Sequence, residues 1–107
     1  MVARDTFTVP IEGVQIGHWT HVGARTGCTV VVLPEGTTAS GEVRGGAPAT
    51  REFALLAPER VVEHVDAVVL SGGSTFGLAS VDGVLGGLEA QGRGFATTAG
   101  PVPIVVG

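Results

Sequence analysis

Residues 66–91, DAVVLSGGSTFGLASVDGVLGGLEAQ, contain the elements around which we expect the chain to be organised. Ala67–Leu70 is an unbroken apolar run, which is typical of a strand covered on both faces. The next four residues, SGGS, interrupt this run. Ser74 then stands directly before a helical pattern, where a hydroxyl side chain predicts an N-cap. The sequence therefore predicts a buried strand, a glycine turn and a buried helix in succession, as in an α/β fold.

The predicted helix has two unlike faces. Bulky residues recur at helical spacing on one side, at Leu78, Val81, Leu85 and Leu88. Small residues lie roughly opposite, at Ala79, Gly83, Gly86, Gly87 and Ala90. Each glycine costs about 1 kcal/mol of helix propensity relative to alanine, so several of them indicate close backbone approach. We expect the bulky face to pack on a sheet and the small face against another helix.

The composition narrows the class of protein. The 107 residues suffice for one small domain with no internal boundary, yet only 15% are charged, which leaves much surface to be covered. A net charge of −4 argues against nucleic acid as the main partner. Without a signal segment or a membrane-length apolar run, we expect a soluble cytoplasmic protein that does not bind membranes. The single cysteine, Cys28, is interpreted as a buried small hydrophobe, and neither a cofactor nor a metal site is expected.

Further elements follow from local patterns. We expect Met1–Thr6 to be a loose lead-in. Strands are predicted within 7–19 (two short pieces), 28–33, 37–43 (as a hairpin arm) and 95–99, and after a turn at Gly100-Pro101 in 102–107. Short helical turns are predicted at 51–56, capped by Thr50, and at 59–65, where a linker is the alternative. Segments 28–33, 67–70 and 102–106 are expected to share one sheet.

His18 and His21 flank Trp19, and a functional interpretation would make them a metal pair or a catalytic base. Two residues three apart at a strand end point to different faces, and no third ligand is nearby. We therefore interpret both histidines as hydrogen-bonded structural or surface residues.

A second glycine-bearing loop, RGGAPATRE, spans residues 44–52. Its Gly45-Gly46 pair before a proline indicates unusual backbone angles or close approach. Two hypotheses stay open. The loop faces a substrate or partner, with Arg44 holding a carboxylate, or it is a structural corner that Arg44 or Arg51 ties to carbonyl groups or to Glu52.

The spacing of residues provides no catalytic set. The chain lacks G-x-S-x-G, a Walker loop and a metal motif. SGGSTFG follows a strand and precedes a helix, as a phosphate-binding turn does, but it lacks the full glycine pattern and the lysine. A serine nucleophile at Ser71 or Ser74 needs a neighbouring base, and nothing in the sequence places a histidine there.

Several motifs together, in order and over residues 11–107, resemble a known family: GVQIGHWT, TGCTVVVLPEG, VRGGAPATRE, DAVVLSGGSTFGLASVDGV and GRGF…VPIVVG. They are similar to the N-terminal part of the self-processing L-aminopeptidase/D-esterase and β-peptidyl aminopeptidases, the DmpA group. The resemblance implies a layered α/β/β/α sandwich of the DmpA/ornithine acetyltransferase type. It also implies a precursor that cuts itself, so that the new N-terminal Ser or Thr of the second chain is the nucleophile.

The resemblance places that nucleophile beyond residue 107, so no catalytic residue is assigned to this chain. We expect a partial domain, the N-terminal portion of the first chain, with a companion chain or continuation and homo-oligomeric assembly. Apolar Pro101–Gly107 is expected to be buried against such additional segments. The substrate implied is a short peptide, amide or ester. An acyltransferase of similar architecture and a non-catalytic scaffold or partner-binding domain are the alternatives. The candidate pocket residues are Arg44, Gly45, Gly46, Ser71, Gly72, Gly73, Ser74 and Phe76.

Overall fold

The computed structural model describes residues 2–107, with side chains from residue 5 onward. Within this range the strands are β1 (Val2–Thr8), β2 (Gln15–His21), β3 (Thr26–Val32), β4 (Ala67–Ser71), β5 (Phe95–Thr97), β6 (Gly100–Val102) and β7 (Val105–Val106). The helices are α1 (Ser74–Gly77) and α2 (Ser80–Ala90), with one 3-10 turn at Phe53–Leu56. The predicted succession of strand, glycine turn and helix after Asp66 is confirmed.

Five of the described strands form a mixed sheet in the order β1-β2-β3-β4-β7, and β5 and β6 pair in a second, two-stranded sheet. Neighbours are antiparallel except β4 and β7, which are parallel. A parallel pair needs a crossover connection, and the chain from α1 to β6 provides it. The prediction that segments 28–33, 67–70 and 102–106 share one sheet is therefore confirmed for the first two segments and for Val105–Val106, whereas Val102 belongs to β6 in the other sheet. The α/β class is confirmed.

The main core lies between this sheet and α2. Ala67, Val69 and Val105 are buried against Val81 and Leu88 of the helix. Because side chains alternate along a strand, Val68 and Leu70 point to the other face, and Leu70 is 63% exposed. The bulky helix face packs on the sheet as predicted, whereas residues 2–107 do not themselves provide the predicted covering of β4 at Leu70.

The helical region differs from prediction at its start. It is divided into α1 and α2, and Ser74 is not an N-cap but the first residue of α1. Gly73 has φ 97° and Ser74 has φ 58°, both in the left-handed region. The chain therefore leaves β4 through two consecutive left-handed residues, a geometry that the capping pattern does not reveal.

The small face of α2 is uncovered by this chain. A Cβ atom added at Gly83, Gly86 or Gly87 would meet no described atom within 4 Å. The expected partner helix is thus absent from residues 2–107. The glycines are not required by any contact within this range.

A second cluster packs on the opposite side of β4 and β7. Val65, Ile104 and Val106 are buried there, with Phe53 of the 3-10 turn against them. Pro103–Val106 is therefore already buried by the chain's own residues, so the burial expected for this segment needs no additional chain.

Several local predictions were wrong. Residues 37–43 form no strand, and the Thr37 carbonyl instead accepts a bond from the Val65 amide. Residues 59–65 are a linker rather than a helical turn. The 3-10 turn follows Glu52, which has φ 60°, and is not capped by Thr50. Gly100-Pro101 belongs to strand β6 instead of forming a turn.

The N-terminal segment was also predicted wrongly. In place of a loose lead-in, the strand β1 pairs with β2 in register from Val2 opposite His21 to Thr8 opposite Gln15. Apolar and polar residues do not alternate regularly in this segment, so its sequence does not indicate a strand. The pairing partner, rather than the local pattern, defines β1.

An ion pair fixes the other end of the core. Asp66 and Arg93 join at 3.1 Å, and each side chain is 15% exposed. Arg93 also donates to the Leu33 carbonyl at 2.9 Å, while the second oxygen of Asp66 accepts the Ile104 amide at 2.9 Å. Four segments of the chain thus meet at one point, which sets the starting positions of β4 and β7.

Candidate functional site

The turn between β4 and α2 is tightly packed. The Gly72 amide donates to the Gly27 carbonyl at 2.9 Å, and the Ser71 hydroxyl donates to the Gly77 carbonyl at 2.7 Å. A Cβ atom at Gly77 would overlap the Gly72 carbonyl oxygen, and one at Gly72 would lie 2.8 Å from the Thr26 hydroxyl. Only glycine fits at position 77, whereas a side chain at position 72 would require the Thr26 hydroxyl to move. The turn is therefore fixed chiefly at Gly77.

This geometry limits what the turn can do chemically. The Gly72 amide is occupied by Gly27, and α1 has only four residues. The structure therefore offers a weaker anion site than the electropositive corner expected in front of a long helix. Ser71 also donates to backbone oxygens within the turn, which engages its hydroxyl proton.

The histidines do not approach the serines. His18 Nδ1 lies 2.7 Å from the Thr29 hydroxyl, and His21 Nδ1 accepts the Ala24 amide at 2.9 Å. They are on opposite faces of β2, as predicted from their spacing. Among the described residues no hydrogen bond joins a histidine to Ser71 or Ser74, so the structure assembles no nucleophile–base pair there.

The second glycine loop is held at one end by Arg51. Its amide and carbonyl exchange hydrogen bonds with Gly107 at 2.6 and 3.1 Å. Its guanidinium donates to Asp82 at 2.6 Å and to the Leu78 carbonyl at 3.3 Å. The structural-corner hypothesis thus holds for Arg51, although Glu52 is not the partner in these bonds. Sequence reasoning missed this anchor because its partners are 27 to 56 positions away.

The rest of this loop is open. Residues 41–50 are all exposed, and a Cβ atom at Gly45 or Gly46 would meet no described atom within 4 Å. The Arg44 side chain is 83% exposed and pairs with Glu42 at 2.5 Å. The hypothesis that Arg44 holds a substrate carboxylate stays a prediction.

The glycine turn and the Arg51 end of the second glycine segment lie at the same edge of the sheet. Because β4 and β7 are parallel, their carboxyl ends meet there. Gly72 follows the end of β4, whereas Arg51 is bonded to Gly107, which directly follows β7, and to the start of α2. Ligands of α/β sheets bind outside the carboxyl ends of strands, which makes this edge the candidate site.

Neither a metal site nor a membrane-spanning helix is found in the part of the chain that the structure describes. No group of three or more His, Cys, Asp or Glu side chains is placed to hold a metal ion between residues 2 and 107. Over the same residues, no helix has the length and hydrophobicity needed to cross a membrane.

Comparison with known proteins identifies the family. Residues 9–107 match the sequence profile of Peptidase family S58. An uncharacterized aminopeptidase of Mycobacterium leprae (strain TN) is 46% identical over 115 aligned positions, which cover 100% of this chain and 32% of that protein. Another, from Mycobacterium bovis (strain ATCC BAA-935 / AF2122/97), is 45% identical over 105 positions, 91% of this chain and 30% of that protein. The chain thus spans about a third of these relatives' length, and it belongs to peptidase family S58.

Proposed function

We propose that this chain is part of an aminopeptidase that removes N-terminal residues from short peptides, amides or esters. The family match over residues 9–107 carries the proposal, and the relatives bear the name aminopeptidase. The reaction proceeds through an acyl-enzyme on an N-terminal Ser or Thr that lies outside this chain, with the free amine of that residue as base.

The role of this chain in that enzyme is to shape the site. The turn at Gly72-Gly73 and the loop at Gly45-Gly46 flank the carboxyl edge of β4 and β7. The turn forms one wall of the substrate pocket, with Ser74 and Phe76 exposed beside it. The loop forms the opposite rim, with the exposed Arg44 exchanging its partner Glu42 for a substrate carboxylate. This division suits a chain in which no serine is paired with a base.

The uncovered sheet face supports a layered sandwich. Phe7, Ile16, Val31 and Val68 are successive cross-strand partners on the face opposite α2. Phe7 remains 51% exposed, as does Leu70 at 63% on the same face. The polar pair on this face, His18 and Thr29, is mutually hydrogen-bonded, which suits burial. We propose that a second sheet from the remainder of the protein packs here, about 10 Å away.

Processing and hydrolysis test the proposal together. The full-length protein is purified, the intact mass of every chain is measured, and a panel of L-aminoacyl p-nitroanilides is assayed. We expect two chains per precursor, a new N-terminal Ser or Thr on the second chain, and release of p-nitroaniline. A heat-denatured sample of the same preparation is the control for spontaneous hydrolysis.

The alternatives predict different outcomes. An uncut precursor that releases nothing from amide and ester substrates would contradict the proposal and favour a scaffold. Turnover that requires an added amine acceptor would favour an acyltransferase, because the acyl group then passes to the amine instead of water. Sedimentation of the processed protein measures the proposed homo-oligomer in the same samples.

A further inference from the structure

A small apolar cavity lies directly beside the glycine turn, on the helix side of the sheet. Its volume is about 330 Å³. Trp19, Cys28 and Ser71 are successive cross-strand partners and form its floor. Phe76 and Ser80 complete the wall, one from α1 and one from the first turn of α2. The cavity is therefore assembled from five elements that converge only in the folded chain.

The lining selects against charge. Among the described residues, the lining contains no Asp, Glu, Lys, Arg or His. A charged group that entered the cavity would lose hydration and would find no ionic partner there, which is strongly unfavourable. The Ser80 hydroxyl is buried and has no hydrogen-bond partner within residues 2–107. Ser80, Thr26 and Ser71 are thus the hydroxyl residues of a mainly apolar cavity that opens to solvent beside Phe76.

The turn also fixes the size of the cavity. Gly72, Gly73 and Gly77 form one side, and substitution at Gly77 is excluded by its overlap with the Gly72 carbonyl oxygen. A volume of about 330 Å³ is at the lower end of the range for small-molecule sites. It accommodates a single side chain rather than a stretch of peptide.

We propose that this cavity binds the uncharged, apolar side chain of the residue that the enzyme removes. The inference rests on the proposed aminopeptidase function. The turn that forms the proposed wall of the substrate pocket is the same turn that borders the cavity, so a substrate held at Gly72-Gly73 has the cavity within reach of its first side chain. Leucine and phenylalanine are preferred over alanine, and lysine and glutamate are excluded.

Filling the cavity tests the inference by kinetics. In the full-length protein, Ser80→Leu places a bulky side chain in the cavity. We expect the ratio of kcat/KM for L-leucine p-nitroanilide to that for L-alanine p-nitroanilide to fall at least about tenfold. Thr98→Leu is the matched control, because Thr98 is exposed in the turn between β5 and β6 and does not line the cavity, and its ratio stays unchanged. A folded Ser80→Leu protein with the wild-type ratio would overturn the inference.

A binding measurement on the wild-type protein does not depend on activity or on the variant's folding. Cys28 lines the cavity, and its alkylation by N-ethylmaleimide is followed by mass spectrometry of the peptide that contains it. We expect L-leucinamide to slow this alkylation, and L-lysinamide and L-glutamic acid α-amide to have no effect. Equal effects of all three, or none from leucinamide, would overturn the inference. If no substrate is hydrolysed but leucinamide still slows the alkylation of Cys28, the result would contradict the proposed function alone and would support the cavity as a binding site.

Discussion

The two Gly-Gly segments, Gly45-Gly46 and Gly72-Gly73, look alike in sequence but differ in the structure. Each contains one glycine in the left-handed region, Gly45 at φ 100° and Gly73 at φ 97°. Around Gly45 and Gly46 a Cβ atom would meet no described neighbour within 4 Å. Around Gly72 it would lie 2.8 Å from the Thr26 hydroxyl.

The difference shows that a glycine pair has two separate physical meanings. In the turn after β4, glycine is needed at position 77 because a Cβ atom there would overlap the Gly72 carbonyl oxygen. In the loop, backbone conformation at Gly45 is the requirement, and space is not limiting. The turn is thus fixed and the loop open, and substitutions separate the two cases.

Gly77→Ala should have the largest effect. Its Cβ would overlap the Gly72 carbonyl oxygen and lie 2.7 Å from the Ser71 hydroxyl, neither of which moves without breaking the turn. We expect a loss of about 3 kcal/mol of unfolding free energy, measured by thermal and denaturant unfolding of the full-length protein. Gly46→Ala is the control and should change stability by less than about 1 kcal/mol. Equal losses in the two variants would remove the distinction between wall and rim.

Arg51→Ala should have an intermediate effect, because it removes the anchor of the loop. The side chain bonds to Asp82 and to the Leu78 carbonyl, and only 32% of it is exposed. We expect a loss of about 1–2 kcal/mol. Arg44→Ala removes an exposed pair with Glu42 and should cost at most about 0.5 kcal/mol. The two variants are compared by their denaturation midpoints, and a costlier Arg44→Ala would show that the loop is anchored at its other end.

Ser74 should give the smallest of the three effects, through its backbone conformation. At φ 58°, a β-branched residue is more strained than serine, whereas glycine is unstrained. We expect Ser74→Val to lower stability by about 1 kcal/mol and Ser74→Gly to leave it equal or slightly higher. The melting temperature should be lowest for Ser74→Val, and that of Ser74→Gly should equal or slightly exceed that of the unsubstituted protein. A valine variant as stable as the glycine variant would show that Ser74 is not left-handed in solution.

The central part of the fold could be predicted because its signals are local. The apolar run at Ala67–Leu70 and the spacing of Val81 and Leu88 define one strand, one helix and the face by which they meet. The N-terminal strand β1 could not be predicted, because it is defined by its pairing with β2 and not by a local residue pattern. The alternation in residues 37–43 misled for the converse reason, since the Thr37 carbonyl is bonded to Val65 and not to a strand.

The two glycine segments were recognised in the sequence, and their role as a site stays a prediction. The structure places the turn after β4 and Arg51, near the end of the second segment, at one edge of the sheet, because β7 is parallel to β4. The left-handed conformation of Ser74, the anchoring of Arg51 to Gly107 and the cavity beside Trp19 depend on contacts between distant segments. No residue pattern within a single segment specifies such contacts.

Amide hydrogen exchange of the full-length protein tests the contrast between fixed turn and open loop most directly. Peptides that cover Gly72–Gly77 and Gly45–Thr50 are followed in one experiment. The amides of Gly72 and Gly77 are bonded to the carbonyls of Gly27 and Gly73, whereas residues 45–50 are exposed. We predict exchange at least about tenfold slower in the turn than in the loop. Exchange in the loop as slow as in the turn, or a turn that exchanges at the unprotected rate, would contradict the account.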